Sequence, residues 1–230
     1  MSTKAAGIPV IAIDGPSGSG KGTIARQVAT ALAFHLLDSG ALYRLVALAT
    51  NRREADPADE ENIASIAASL DARFSTDEYG SEQVWLSAEE ISAELRTEEC
   101  GLLASRIAAL PKVRSALLNL QKSFRQVPGL VADGRDMGTT VFPDANLKVF
   151  LTASAEERAK RRHKQLNDKG IDVSLAALSR DIEDRDRRDS ERSVGPLKPA
   201  EDARLLDSSN LTIDEVTLTV LDWVQEIEWQ

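Results

Sequence analysis

The sequence predicts an α/β fold with three layers, a parallel sheet of five strands between helices. Three observations predict it. An apolar run, Ile8 to Ile13, passes through a glycine-rich turn into a segment whose apolar residues Ile24, Val28, Ala31 and Leu32 recur at helical spacing. Further strand-like runs, Phe34–Leu37, Leu130–Ala132, Leu147–Leu151 and Ala203–Leu206, then alternate with amphipathic helical segments. Between about Asn51 and Glu99 the alternation gives way to short pieces, Arg73-Phe74-Ser75 and Val84-Trp85-Leu86, set apart by Asp77-Glu78-Tyr79-Gly80. That texture predicts a small antiparallel hairpin inserted as a subdomain.

Composition narrows the class. At 230 residues, with 42% hydrophobic and 28% charged, the chain suits one α/β domain carrying insertions. Cys100 is the sole cysteine, so no internal disulfide forms. No apolar segment is long enough to span a bilayer and no cleavable signal region is visible, so a reducing cytoplasm is the expected compartment. The formal net charge of −9 and the few aromatics argue against nucleic acid as a partner, because that needs extended basic surface and stacking platforms.

The turn after the first strand carries the strongest chemical signal. It reads Gly15-Pro16-Ser17-Gly18-Ser19-Gly20-Lys21-Gly22-Thr23, with the G-x-x-x-x-G-K spacing that curls consecutive backbone N–H groups around phosphate oxygens. The following helix adds its positive dipole end and Lys21 an ammonium. A plain Gly/Ser turn would need neither Lys21 nor Gly20 at those offsets. The position after Lys21, which usually supplies a hydroxyl for Mg²⁺, is Gly22, and the hydroxyl moves to Thr23.

Ser39 reads as the N-cap of a helix with Leu42, Leu45, Val46 and Ala49 on one face. A short helix carries Ile63, Ile66 and Leu70, and Ser87-Ala88-Glu89-Glu90 fits a capping box among strand-like neighbours. A helix starting near Thr97 carries Cys100, Leu103, Ile107 and Leu110, and Pro111 opens another with Val113, Leu117, Leu120 and Phe124. Ser39 and Arg44 fall near the end of a strand and the start of a helix, where parallel sheets bind ligands, and Asp133-Gly134-Arg135-Asp136 sits at the carboxyl end of the Leu130–Ala132 strand. Capping boxes at Ser154–Glu157 and Thr212–Glu215 open two later helices, the second directing Val216, Val220, Trp223, Val224 and Ile227 to the core.

On an acidic chain that must hold anions, the clustered arginines are informative. Arg158, Arg161, Arg162, Arg180, Arg185, Arg187, Arg188 and Arg192 fall in one stretch, interrupted by the turn Asn167-Asp168-Lys169-Gly170. Asp181 precedes Arg185 by four and Asp184 precedes Arg188 by four, so a self-paired, solvated helix would look similar. Arg185, Arg188 and Arg192 nonetheless share a face. A triphosphate and a monophosphate together carry roughly six negative charges, which such a comb would offset. A basic segment able to close beside a phosphate loop favours a kinase over a simple binder. If the acceptor is itself a phosphate it needs no general base, and His35 and His163 read as structural or solvated.

At these residues a resemblance emerges. Gly15–Thr23 with its Lys-Gly-Thr ending resembles the nucleoside monophosphate kinase family of P-loop kinases. Leu37–Arg44, Asp133–Gly138 and Arg185–Arg192 with Pro196-Leu197 resemble the bacterial cytidylate kinases, over essentially the whole chain. The resemblance implies a P-loop kinase fold with core segments 8–38, 107–157 and 193–230, an NMP-binding insertion over 39–106 and a mobile lid over 158–192. It implies transfer of the γ-phosphoryl of ATP to CMP or dCMP, with Mg²⁺. Gly15 to Thr23 and Arg158 would hold ATP, and Lys21, Arg188 and Arg192 would serve the transferring phosphates. Ser39, Arg44 and Arg135 would hold the acceptor phosphate, Ser105, Arg114 and Asp136 the base, and Arg185 and Asp189 the ribose. A hydroxyl, a guanidinium and a carboxylate complement the polar edge of cytosine. Thr23 and Asp133 would reach the metal, Asp133 through water.

Plainer readings stand beside these. From the residues alone, Ser105 and Arg114 are ordinary exposed helix positions, Asp136 caps or turns its loop, and Asp189 pairs with Arg185. Cys100, Tyr43 and the tryptophans read as packing residues. Another small-molecule P-loop kinase would share the loop but lack the base-reading set, and a nucleotide switch would show a guanine-reading Asn-Lys-x-Asp pattern, which the sequence does not contain. Nothing in the sequence calls for more than a monomer.

Overall fold

The computed structural model describes residues 7–76, 82–168, 170 and 172–227. In chain order its elements are β1 (Val10–Asp14), α1 (Lys21–Leu32), β2 (His35–Asp38), α2 (Ser39–Arg52), α3 (Glu60–Ala68), β3 (Ala72–Thr76), β4 (Glu82–Leu86) and β5 (Glu89–Glu90). There follow α4 (Ser92–Leu95), α5 (Glu98–Ile107), α6 (Pro111–Ser123), β6 (Leu130–Gly134), β7 (Leu147–Thr152), α7 (Ala155–Asn167), α8 (Leu175–Glu191), β8 (Arg204–Asp207) and α9 (Ile213–Gln225). A π-helical turn, Met137–Val141, stands between β6 and β7. The chain forms two compact units, one running from Ser39 to Leu120 and the other joining the residues up to Asp38 with those from Gln121 onward.

The second of these units holds the expected five-stranded sheet, in the order β2-β6-β1-β7-β8. Every pairing is parallel, with Val10 opposite Leu130 and Asp14 opposite Gly134 in the central pair. All five residues of β1 and all five of β6 are buried, as strands covered on both faces must be. On one face Ile11, Ile13, Val131, Val149 and Leu151 form a single cluster with Ile24 and Val28 of α1 and Val216, Val220 and Val224 of α9. Burying each such side chain is worth about 1.5–3 kcal/mol, so this cluster fixes where α1 begins and therefore where the loop before it ends. Val10, Ala12, Leu130 and Ala132 are fully buried as well.

The caps at Ser154 and Thr212 form where expected. Ser154 Oγ accepts the Glu157 N–H at 3.2 Å, and Thr212 and Glu215 make a reciprocal capping box. Gly170, at φ +75°, donates to the Asn167 carbonyl at 2.8 Å, closing the turn after α7; Lys169 of that turn lies outside the described residues. His35 is structural, its Nε2 lying 3.0 Å from the Val127 carbonyl oxygen, while His163 Nδ1 lies 3.2 Å from Asn167 Nδ2.

In the unit from Ser39 to Leu120, α2 packs on α5, and its Leu42, Leu45, Val46 and Ala49 are buried. Ser39 is the first helical residue of α2, not a residue capping it from outside. Thr97 does cap α5, its Oγ1 accepting the Cys100 N–H at 3.3 Å, and Pro111 opens α6. The hairpin forms with Arg73 opposite Trp85 and Phe74 opposite Val84. Its connecting residues Asp77–Gly80 lie outside the described residues.

One expectation is overturned here. Ser87-Ala88-Glu89-Glu90 opens no helix: Ser87 takes φ +56° in a turn, its N–H donates to the Asp71 carbonyl at 2.8 Å, and Glu89–Glu90 become a third strand against β4. The Ser-x-x-Glu pattern fits a cap only when a helix can follow, and the sheet edge offered by β4 wins.

Candidate active site

Three glycines shape the phosphate loop. Gly15 follows β1 directly, and a Cβ there would lie 2.0 Å from the Leu151 carbonyl oxygen of β7, so no larger residue fits against that strand. Gly18 and Gly20 hold φ of +78° and +91°, a region open to glycine at little cost. Gly20 caps α1 through its carbonyl, which accepts from Thr23 N and Ile24 N, while Lys21, the first residue of the helix, is buried with Nζ donating to the Pro16 carbonyl at 3.1 Å. The loop and the positive end of α1 form a receptor for phosphate oxygens.

The glycine after Lys21 lies close to a carboxylate: a Cβ on Gly22 would stand 3.2 Å from Oδ2 of Asp133, so a serine or threonine there would press on that side chain by a few tenths of an ångström. Asp133 is buried and its Oδ1 has no hydrogen-bond partner among the described residues. Burial pushes its carboxyl up to about 7, with Lys21 pulling the other way. Burial likewise pushes the Lys21 ammonium down to about 8, helped by Arg135 and opposed by Asp133. These groups share one low-dielectric environment, where a bound anion offsets the desolvation of Lys21.

The arginine-rich segment does not form a solvated, self-paired helix throughout. Asp186 of α8 pairs with Arg158 of α7 through two contacts, at 2.5 and 3.1 Å, while Arg158 also donates to the Ser17 carbonyl of the phosphate loop at 3.0 Å. Asp189 accepts from Arg135 Nε at 2.9 Å, and Arg192 Nη2 stands 3.3 Å from Asp136. Burial opposes the Asp189 charge, yet Arg135, Arg185 and Arg192 together hold its carboxyl below the usual range. Asp184 bonds to Arg187, an i,i+3 contact, and not to Arg188 as the self-paired reading would have it. Arg188 is exposed and makes no hydrogen bond or ion pair among the described residues.

Ser39, Arg44, Ser105 and Arg114 belong to the other unit. Arg44 donates to the carbonyls of Leu95 at 2.6 Å and Thr97 at 3.2 Å, and a Cβ on Gly101 would come within 2.9 Å of its Nη2, so the glycine in α5 makes room for the guanidinium. Ser105 and Arg114 are only 6% and 7% exposed, which corrects their reading as ordinary surface positions. Arg114 donates to the Tyr43 hydroxyl at 3.2 Å and to the Ala108 carbonyl at 3.4 Å, with its guanidinium 5.8 Å from the Tyr43 ring centre. Tyr43 therefore orients Arg114 as well as packing. The Ser105 hydroxyl is buried without a hydrogen-bond partner among the described residues, a cost that a polar ligand would remove.

Sequence reasoning missed Asp14, Asp186 and Ser208. Asp14 ends β1, and burial pushes its carboxyl up to about 6, against the pull of two backbone N–H bonds. Ser208 Oγ lies 3.2 Å from the Ser19 carbonyl and 3.0 Å from the Thr152 carbonyl, while Arg161 Nη1 donates to that hydroxyl at 3.2 Å, so Arg161 braces the loop from outside. The basic spacing around Arg161 signalled the residue but not this role.

Comparison with known proteins identifies the family. The cytidylate kinase family model matches residues 11–226. The chain is 58% identical over 216 residues to the cytidylate kinase of Cupriavidus necator, covering 94% of this chain and 95% of that one. It is 55% identical over 230 residues to that of Ralstonia pickettii, covering 99% and 97%, and 57% identical over 218 residues to that of Methylococcus capsulatus, covering 95% and 97%. A solved structure of an uncharacterized protein from Eubacterium ventriosum shares the fold at a TM-score of 0.52 and 13% identity, covering 95% of this chain and 99% of that one. With a match running from the first strand to the last helix, the chain belongs to the cytidylate kinase family.

Proposed function

We propose that this protein transfers the γ-phosphoryl group of ATP to CMP or dCMP, giving ADP and CDP or dCDP, by direct in-line attack of the acceptor phosphate. The observation that carries the reading is Lys21, buried at the head of the Gly15–Thr23 loop beside Asp133 and Arg135, in a chain of the cytidylate kinase family. Phosphoryl transfer asks for positioning and charge neutralisation more than covalent chemistry. The loop amides and Lys21 take the β- and γ-phosphates, with Arg158 bracing the loop at Ser17. The acceptor phosphate is already ionised near neutral pH, so no side chain need remove a proton.

Arg188 meets the charge that spreads over the transferring group, and Arg192 supports it from the same segment, 158–192, which acts as a mobile lid. Ser39, Arg44 and Arg135 bind the acceptor phosphate. Ser105, Arg114 and Asp136 read cytosine, and Arg185 with Asp189 contacts the ribose. The insertion over 39–106 is the acceptor-binding part, with core segments 8–38, 107–157 and 193–230.

The residues fit Mg²⁺. Asp133 presents a buried carboxylate oxygen without a partner among the described residues, and Thr23 presents an exposed hydroxyl at the start of α1. Hard oxygen donors of this kind suit Mg²⁺ held largely by nucleotide and water. Held there by Thr23 and, through water, by Asp133, Mg²⁺ would supply positive charge against the phosphate oxygens of the bound nucleotide. ATP, CMP and dCMP are the partners in this reading, the cytoplasm is its compartment and a monomer its working form. Among the described residues no helix is long and apolar enough to cross a membrane.

A coupled assay of ADP release with CMP, dCMP, UMP, AMP and shikimate as acceptors tests the assignment. CMP and dCMP are expected to give the highest kcat/KM. Equal use of the other acceptors would sink it.

A further inference from the structure

The segment carrying Arg135 and Asp136 leaves the sheet where the pairing of β6 with β1 ends, at Gly134 opposite Asp14. It runs into the π-helical turn Met137–Val141, whose first N–H groups have no partner inside the turn. Asp136 stands at the cap position, where an aspartate commonly accepts such an N–H through its own carboxylate. Its side chain makes no cap bond here and instead faces Arg192 Nη2 at 3.3 Å. The cap comes from the neighbouring strand: the two carboxylate oxygens of Asp14 accept the N–H groups of Met137 and Gly138, each at 2.8 Å. Asp14 is only 5% exposed. The rest of the Asp14 backbone is already held in the ladder, so its side chain transmits the position of β1 to a turn that the sheet itself no longer holds.

We propose that Asp14 is a positioning residue for the acceptor nucleotide: by capping the 137–141 turn it fixes the backbone that carries Arg135 and Asp136, and so the place from which both side chains meet the acceptor. This rests on the reading of Arg135 and Asp136 as acceptor contacts. The donor side depends on Asp14 much less, because the phosphate loop is set by the sheet pairing of β1, by the close approach of Leu151 to Gly15 and by α1. Without the strand-borne cap, the Met137 and Gly138 N–H groups lose their acceptors and the turn that carries Arg135 and Asp136 is held less firmly.

The test is Asp14→Asn in the full chain, which keeps the size but offers one acceptor oxygen and turns an NH₂ group toward the other backbone donor. The KM for CMP is expected to rise about tenfold, with the KM for ATP within about twofold of wild type. The Met137 and Gly138 amides should exchange hydrogen faster by NMR. A residue that merely stabilises the fold would not split the two KM values. An unchanged KM for CMP, or an equal rise in both, overturns the proposal, as does unchanged exchange at both amides. Asp136→Asn, assayed alongside, separates the two claims. If it leaves the KM for CMP unchanged, the acceptor reading fails and the proposal with it. If it raises that KM while Asp14→Asn does not, the positioning role alone fails. Asp14→Ser, judged by the same split, replaces Asp14→Asn if the latter does not fold.

Discussion

Lys21→Ala is expected to lower kcat by about 10³-fold, near 4 kcal/mol of transition-state stabilisation, while the protein stays folded. Both halves follow from its placement. Nζ is buried at the head of α1 and held to the Pro16 carbonyl at 3.1 Å, so it meets phosphate oxygens inside the loop, where a charge acts through low dielectric. Burial pushes the ammonium down to about 8, below its ordinary value, and the sign matters. A lysine whose folded pKa is depressed makes the charged form costly in the native state, and folding gains stability as pH rises from that value toward the unfolded one. Removing the ammonium therefore takes away a cost at neutral pH, and the Asp133 carboxyl left behind, already pushed up to about 7, can take a proton. Steady-state rates measured beside thermal denaturation check both parts; a large fall in Tm with little fall in kcat would make Lys21 a structural residue.

Arg188→Ala is the second large effect, a loss on the order of 10³ in kcat with stability within about 0.5 kcal/mol of wild type. Its neighbours on α8 are engaged: Asp186 by Arg158, Arg187 by Asp184, Asp189 by Arg135. Arg188 is exposed and makes no ion pair or hydrogen bond among the described residues, so deleting it breaks nothing in the fold. Arg187→Ala is the matched control and should turn over normally, since an exposed i,i+3 pair contributes little. Wild-type turnover in Arg188→Ala would remove the residue from the reaction.

Much of the fold was legible because it rests on local signals. Thr97, Ser154 and Thr212 accept the N–H three residues on, and the hairpin keeps Arg73 opposite Trp85, as short-range pattern and propensity predict. Where a local pattern met a tertiary competitor it failed, as at Ser87, whose box lost to a sheet edge. The phosphate loop was legible because its chemistry lies in nine consecutive residues.

The long-range bracing of that loop and of the 137–141 turn beside it was not legible. Asp14 reaches N–H groups 123 and 124 residues away, Arg158 reaches Asp186 across 28, and Ser208 reaches Ser19 across 189. No periodicity connects partners at such separations: Asp14 and Ser208 meet theirs because parallel pairing sets the ends of β1, β6, β7 and β8 side by side, and Asp186 meets Arg158 because α8 packs back on α7. The burial of Ser105 and Arg114 was hidden for a related reason: a serine and an arginine on amphipathic helices look like surface until the Tyr43 ring and hydroxyl are placed beside the guanidinium.

The most direct test of the account is the stereochemical course of transfer to CMP from ATP made chiral at the γ-phosphorus with isotopic or thio substitution. Direct in-line attack by the acceptor phosphate predicts a labelled cytidine diphosphate with inverted configuration at the transferred phosphorus. Retention, which requires a covalent phosphoryl-enzyme in between, or failure of the label to reach CMP, would contradict it.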